Sequence, residues 1–84
     1  MENDAFEWDN AKAAQNLRNH GVTFEMARDA FRDAFALEWI DDGRDASEER
    51  ICMLAMVEDR LLFVSYTLRG DRVRIISSPE GRTS

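Results

Sequence analysis

Residues 50–77 decide the fold, and they read RICMLAMVEDRLLFVSYTLRGDRVRIIS. Residues 50–57 and 61–68 are apolar runs of strand length, and the Glu58-Asp59-Arg60 segment between them is short enough for a hairpin. Gly70-Asp71 marks a second tight turn, after which residues 72–77 form the next strand. Because short connections join neighbouring antiparallel strands, this stretch predicts a meander.

Two helices are predicted upstream of the meander. Asp9 fits the N-cap of a helix over residues 10–19, and Gly21 fits its end. Thr23 fits the N-cap of a second helix, behind which apolar residues recur at helical spacing. That apolar stripe consists of Met26, Ala27, Ala30, Phe31, Ala34 and Phe35.

The remaining segments complete an α+β fold. Residues 6–8 fit a short strand or an anchoring extended piece, residues 36–40 a strand, and residues 41–49 a polar loop. Two helices before a meander indicate that the helices pack on one face of a four-stranded, mainly antiparallel sheet. We expect one domain over residues 1–84, with a mobile tail at 78–84.

The composition limits which metal sites, disulfides and membrane segments the chain can have. Of the 84 residues, 44% are hydrophobic and 33% are charged, which is typical of a soluble globular protein. Cys52 and His20 are the only residues of their types, which excludes a disulfide within the chain and a Cys/His zinc site. We expect no metal and no cofactor. No apolar run approaches the roughly 18 residues of a membrane span, and no signal peptide begins the chain, which predicts a cytoplasmic protein without membrane association.

Basic residues are concentrated near the end of an acidic chain with a formal net charge of −6. Residues 1–59 hold six Lys/Arg against 15 Asp/Glu, a balance of −9. Residues 60–84 hold five Arg against two acidic residues, a balance of +3. A local basic surface on an acidic body is compatible with RNA, whose binding depends on phosphate contacts.

Two groups of polar residues are candidates for a site. The first is Lys12, Asn16 and His20, which recur every four residues and would share one side of the first helix. The second is Arg69, Arg72 and Arg74, which surround one predicted hairpin. Like charges held close together repel, and three kinds of group would compensate these arginines: acidic residues of the body, a partner protein, or phosphate.

Taken together, these residues resemble the BrnT toxin family. The resemblance covers residues 6–77, nearly the whole chain, and its motifs occur in the family's order. The residues that carry it are Phe6, Trp8, Asp9, Lys12, Asn16, His20-Gly21-Val22, Phe24-Glu25, Ala27, Glu49-Arg50, Tyr66-Thr67, Arg69, Arg72 and Arg74-Ile75-Ile76-Ser77.

The resemblance implies a type II toxin with a compact RelE-like fold. Such toxins are metal-independent endoribonucleases that inhibit translation by cutting RNA. The implied partner is a BrnA-like antitoxin with a ribbon-helix-helix DNA-binding part. Toxin and antitoxin would form a heterotetramer that represses their own operon.

The chemistry implied by the resemblance needs cations beside a phosphate and a group that moves protons near neutral pH, as an imidazole does. The candidate catalytic residues are His20, Lys12, Glu49, Arg69 and Arg74, and the candidate RNA-binding residues are Tyr66, Arg72 and Arg50. Ordinary interpretations stay open beside these roles. His20 fits a helix end, Glu49 fits a structural junction, and the arginines fit an antitoxin-docking patch.

The sequence departs from the family pattern after Ser77. The family continues with Ala-Arg into a basic helix that ends in a Tyr, whereas this chain reads Ser78-Pro79-Glu80-Gly81-Arg82. The difference motivates an alternative function. In it, the chain is a catalytically degenerate toxin homologue that acts as an antitoxin-binding module in transcriptional autoregulation.

Overall fold

The computed structural model describes residues 5–41 and 49–78. Their elements, in chain order, are β1 (Phe6–Glu7), α1 (Asn10–His20), α2 (Phe24–Asp29), a 3-10 helix (Ala30–Arg32), β2 (Leu37–Asp41), β3 (Arg50–Val57), β4 (Arg60–Arg69) and β5 (Arg72–Ser77). Two α-helices precede an antiparallel meander, so the α+β class is confirmed. No helix within these ranges is long and apolar enough to cross a bilayer.

The sheet has five strands, in the order β1-β5-β4-β3-β2. Antiparallel pairing joins β2 through β5, whereas β1 pairs parallel to β5, with Phe6 opposite Val73 and Glu7 opposite Arg74. The prediction of four strands was therefore wrong by one. The fifth strand is β1, within residues 6–8, for which the sequence left a short strand and an extended piece both open; its two residues are too few to produce a period-two pattern.

Side-chain caps fix the helix ends. The Asp9 carboxylate accepts two backbone N–H bonds from the first turn of α1, at 2.8 and 3.3 Å. The Thr23 hydroxyl accepts the N–H of Met26 at 3.1 Å and begins α2. Gly21 ends α1 with φ of 68°, a left-handed conformation that glycine adopts without a steric penalty. These three predicted boundaries are confirmed.

The second helix is shorter than its apolar stripe predicts. α2 ends at Asp29, and the 3-10 helix ends at Arg32. The Asp33 carboxylate then accepts N–H bonds from Met56 at 2.8 Å and Phe35 at 2.9 Å, and these bonds lower the pKa of Asp33. Because these bonds turn the chain out of the helix, Phe35 is 89% exposed. Its assignment to the apolar stripe was wrong.

The helices cover one face of the sheet. The core contains apolar residues of the helices and of alternate strand positions: Trp8, Val22, Phe24, Ala27, Ala30, Met53, Ala55, Val57, Leu62, Val64, Tyr66 and Ile75. Alternation directs the intervening strand residues to the opposite face. No helix of the described residues packs there, and we call it the open face.

Asn16 joins α1 to the residue that follows β5. Its Nδ2 donates to the carbonyls of Val22 and Ser78, both at 2.9 Å, and its Oδ1 accepts the Ser78 N–H at 3.0 Å. Asn16 is 6% exposed and Ser78 is fully buried. Ser78 is therefore a hydrogen-bonded core residue and not the start of a tail. The rest of the predicted tail, including Pro79, lies outside the described residues.

Candidate functional site

The open face carries four arginines near the turn between β4 and β5. Arg69 and Arg72 are direct cross-strand partners, and Arg74 is opposite Thr67 in the next pair on the same face. Arg50 begins β3, and alternation places it on this face too. We call Arg50, Arg69, Arg72 and Arg74 the arginine surface. The structure thus brings together four of the residues that the sequence nominated.

Like charges lie close together within this surface. Directly opposite residues have Cβ atoms roughly 5 Å apart, so the like charges of Arg69 and Arg72 repel. Arg74 donates from Nη1 to Oε2 of Glu7 at 3.0 Å. These two side chains are 31% and 20% exposed, so solvent weakens their ion pair.

Lys12 and one residue of the arginine surface act on the same carboxylate. The pKa of Asp9 is lowered mainly by the N–H bonds from Ala11 and Lys12, and further by the charges of Lys12 and Arg74. Both cations are therefore within electrostatic reach of one carboxylate. Lys12, in the first turn of α1, thus shares with Arg74 an influence on the Asp9 carboxylate.

Glu49 lies beside the same row of residues. Its backbone carbonyl accepts the Thr67 hydroxyl at 2.6 Å, and Thr67 is opposite Arg74 on β5. Thr67 is 2% exposed, so this bond is shielded from water. It fixes the start of β3, and with it Glu49 and Arg50, against the middle of the sheet.

His20 lies at the other end of the molecule from Arg69. It is the last residue of α1, and the carbonyl of the adjacent Gly21 accepts from Nη1 of Arg60 at 3.4 Å. Arg60 begins β4 and Arg69 ends it; the strand has ten residues. At about 3.3 Å per residue these ends are roughly 30 Å apart. The structure therefore does not bring the imidazole and the Arg69 guanidinium to one phosphate.

Tyr66 is part of the core and not of the arginine surface. Tyr66 is 6% exposed, and its ring packs edge-on against Phe31, with centroids 4.9 Å apart. Its hydroxyl donates to Oε2 of Glu38 at 2.6 Å, and burial together with this bond raises its pKa. The predicted contact of Tyr66 with RNA is not supported by this position, since neither face of the ring is open to a base.

Sequence reasoning missed Glu7 and Thr67. Glu7 and Arg74 are 67 residues apart, so no local spacing relates them. Alternation supplies the signal once β1 is aligned with β5, because Phe6 packs against the core and Glu7 then faces the open side. The described residues contain no group of three or more His, Cys, Asp or Glu able to hold a metal ion.

The rest of the open face is apolar. Trp39 and Phe63 are in edge-on contact, with centroids 5.7 Å apart. Cross-strand pairs extend this area along β2, β3 and β4, through Leu37 opposite Leu54, Leu54 opposite Phe63, and Met56 opposite Leu61. The open face is therefore divided into a cationic half and an aromatic and aliphatic half.

Comparison with known proteins identifies the family. The family described as "Ribonuclease toxin, BrnT, of type II toxin-antitoxin system" matches residues 8–82 of the 84-residue chain. No curated protein matches the chain. The family match includes every described element except β1, and it includes the whole arginine surface. The chain therefore belongs to the BrnT family of ribonuclease toxins of type II toxin–antitoxin systems, a class that acts with an antitoxin partner.

Proposed function

We propose that this chain is a metal-independent endoribonuclease with a RelE-like fold that binds RNA through the arginine surface and inhibits translation in the cytoplasm. The observation that carries the proposal is the concentration of four arginines on one open face of a chain whose net charge is −6. An acidic protein attracts RNA weakly overall, so binding requires local phosphate contacts. Family membership supports the ribonuclease activity.

The proposed reaction is a transfer at one phosphodiester. The ribose 2′-hydroxyl loses its proton, and its oxygen forms a bond to the adjacent phosphorus. The bond from phosphorus to the 5′-oxygen of the next nucleotide breaks, and that oxygen takes up a proton. Arg69 and Arg74 offset the negative charge of the pentacoordinate intermediate, because a guanidinium presents two parallel N–H donors to phosphate oxygens.

Glu49 is the proposed base. It is exposed, and its backbone is fixed beside the Thr67–Arg74 pair, where a bound phosphate would lie. Lys12 is the proposed further phosphate contact. His20 is eight residues beyond Lys12 on α1, roughly 12 Å along the helix axis. We therefore assign His20 to a neighbouring part of the RNA strand or to the helix end, away from the reacting phosphate.

The proposed partner is a BrnA-like antitoxin with a ribbon-helix-helix DNA-binding part. Ribbon-helix-helix proteins bind DNA with paired β-strands. Toxin and antitoxin would together form a heterotetramer that represses their operon. The antitoxin would neutralise the toxin by denying RNA access to the arginine surface.

The test is cleavage of a defined RNA by purified toxin, separated from its antitoxin, in buffer with excess EDTA. We expect Arg69→Ala and Arg74→Ala each to slow cleavage by about 100-fold or more, the usual effect of removing one donor to developing negative charge. Glu49→Gln removes the base, with an expected loss of about 10²–10⁴-fold. Arg18→Ala, an exposed arginine on α1, is the matched control and retains the wild-type rate.

Wild-type cleavage by both arginine variants would refute a catalytic arginine surface. Loss of activity in His20→Ala equal to that of Arg74→Ala would refute the assignment of His20 away from the reacting phosphate. A folded wild-type protein that binds its antitoxin but leaves RNA intact would favour the degenerate, non-catalytic alternative.

A further inference from the structure

Exposed apolar side chains are concentrated at one edge of the molecule. Seven large hydrophobic residues are exposed within the described ranges, and five of them lie in or beside β2: Phe35, Leu37, Trp39, Ile40 and Met56. Their exposed fractions run from 44% to 89%. Exposed apolar side chains grouped in this way are typical of an interaction site.

β2 is also an edge strand. It pairs with β3 from Leu37 opposite Leu54 to Asp41 opposite Arg50, and it is last in the sheet order. No strand of the described residues pairs with its outer edge, and all five β2 residues are exposed. Such an edge presents backbone N–H and C=O groups to an incoming strand.

We propose that an extended segment of the cognate antitoxin adds to the outer edge of β2 as a further strand of the sheet. The inference rests on membership of a type II family, which implies a protein antitoxin, and does not depend on RNA cleavage. Backbone bonds to β2 provide the pairing. Alternate apolar side chains of the segment pack on Leu37 and Trp39 on the open face and on Ile40 on the other face.

The charge of the β2 edge indicates which residue types the antitoxin segment contains. Residues 33–41 contain Asp33, Glu38 and Asp41 and no Lys or Arg. Arg50 on β3 is opposite Asp41 and offsets one of these three negative charges. The edge therefore keeps a net negative charge. The complementary antitoxin segment is therefore both apolar and basic.

A second copy of this chain fits the edge less well. Pairing of β2 with the same strand of another copy would bring two identical sets of acidic residues together. Each copy already carries a net charge of −6. Like charges in a strand pair are destabilising, so the edge favours a partner of opposite charge.

The test measures the affinity of purified toxin for the antitoxin of the same operon by isothermal titration calorimetry. The variant is Leu37→Lys/Ile40→Lys, at side chains that are 63% and 54% exposed, so the urea midpoint of the free toxin stays unchanged. Lysine on an edge strand opposes strand addition and repels a basic partner, and we expect affinity to fall about tenfold or more. Leu17→Lys, 49% exposed on α1, is the matched control and retains wild-type affinity.

Hydrogen–deuterium exchange on the wild-type complex is the second measurement, and it does not depend on a variant. We expect the amides of residues 37–41 to exchange more slowly when the antitoxin is bound. Unchanged affinity of the double variant, or unchanged exchange at 37–41, would overturn the inference. A toxin that dimerises alone and is made monomeric by the double variant would also overturn it. Slowed exchange in a complex whose free toxin cuts no RNA would support this inference while rejecting the ribonuclease proposal.

Discussion

Replacement of Asn16 by alanine tests how the helical layer is attached to the sheet. Asn16 makes three hydrogen bonds of 2.9, 2.9 and 3.0 Å to backbone groups of Val22 and Ser78. Its removal leaves the Val22 carbonyl and both Ser78 backbone groups buried without these partners. Each buried unpaired group costs about 1–3 kcal/mol, so we expect a loss of about 3–5 kcal/mol after partial relaxation. That is a large fraction of the roughly 5–15 kcal/mol by which a domain is stable.

The assay is urea unfolding followed by circular dichroism. With m near 1–2 kcal/mol/M, the expected loss lowers the midpoint by at least about 1.5 M. Asn19→Ala makes the same change at an exposed position of α1, and a change within about 0.5 kcal/mol is expected. Ser78→Ala removes a buried hydroxyl that has no hydrogen-bond partner among the described residues, so it should be neutral or stabilising. A loss below about 1 kcal/mol in Asn16→Ala, with m unchanged, would refute this reasoning.

Three further predictions concern the core, the arginine surface and a helix end. Burial, and then the bond to Glu38, raises the pKa of Tyr66 above its unfolded value, so the stability from this group is complete below about pH 10 and falls as pH rises further. In urea titrations at alkaline pH, Tyr66→Phe should therefore lose stability less steeply than wild type, and an equal slope would contradict the cause. Glu7→Gln frees Arg74 from its ion pair and should strengthen binding of a short RNA by about two- to fivefold at low salt. Weaker RNA binding by this variant would contradict the prediction. Gly21→Ala should lower the free energy of unfolding by about 1 kcal/mol in urea, because φ is 68°; the cost is conformational, since an added Cβ meets nothing within 4 Å. Gly21→Asn should lower it less. No loss of stability in either variant would contradict the left-handed cap.

Local chemistry made much of the fold predictable from sequence. The caps at Asp9 and Thr23 act on amides two or three residues away, so the sequence window contains both partners. The end of the second helix was not predictable in this way. Asp33 accepts a bond from Met56, 23 residues later, and that contact exists only after the sheet has formed. Residues 6–8 could not be assigned between a strand and an extended piece for the same reason, since the pairing of β1 with β5 is long-range.

The same distinction between local and long-range contacts applies to the residues of the candidate site. The sequence predicted that Arg69, Arg72 and Arg74 surround one hairpin, because a hairpin relates its two strands locally, and the observed pairing puts them on one face. Tyr66 and Arg69 are three residues apart on one strand, so alternation alone puts them on opposite faces of the sheet. The core position of Tyr66 follows from this separation. The position of His20 does not follow from the local sequence. It depends on where α1 crosses the sheet, which is set by the contact of Asn16 with a residue 62 positions away.

The positions of the two proposed surfaces determine how far the antitoxin must extend. A segment added outside β2 lies four strand spacings of about 4.8 Å from β5, so the segment and the strand of Arg74 are roughly 19 Å apart. An extended chain advances about 3.3 Å per residue, so a segment paired with β2 needs about six further residues to reach across the sheet to the strand of Arg74. Because β2 carries none of the four arginines, pairing there cannot by itself block phosphate binding. Attachment and inhibition would therefore belong to different parts of one antitoxin segment, and an antitoxin shortened after its β2-pairing part would remain bound while leaving the arginine surface open to RNA.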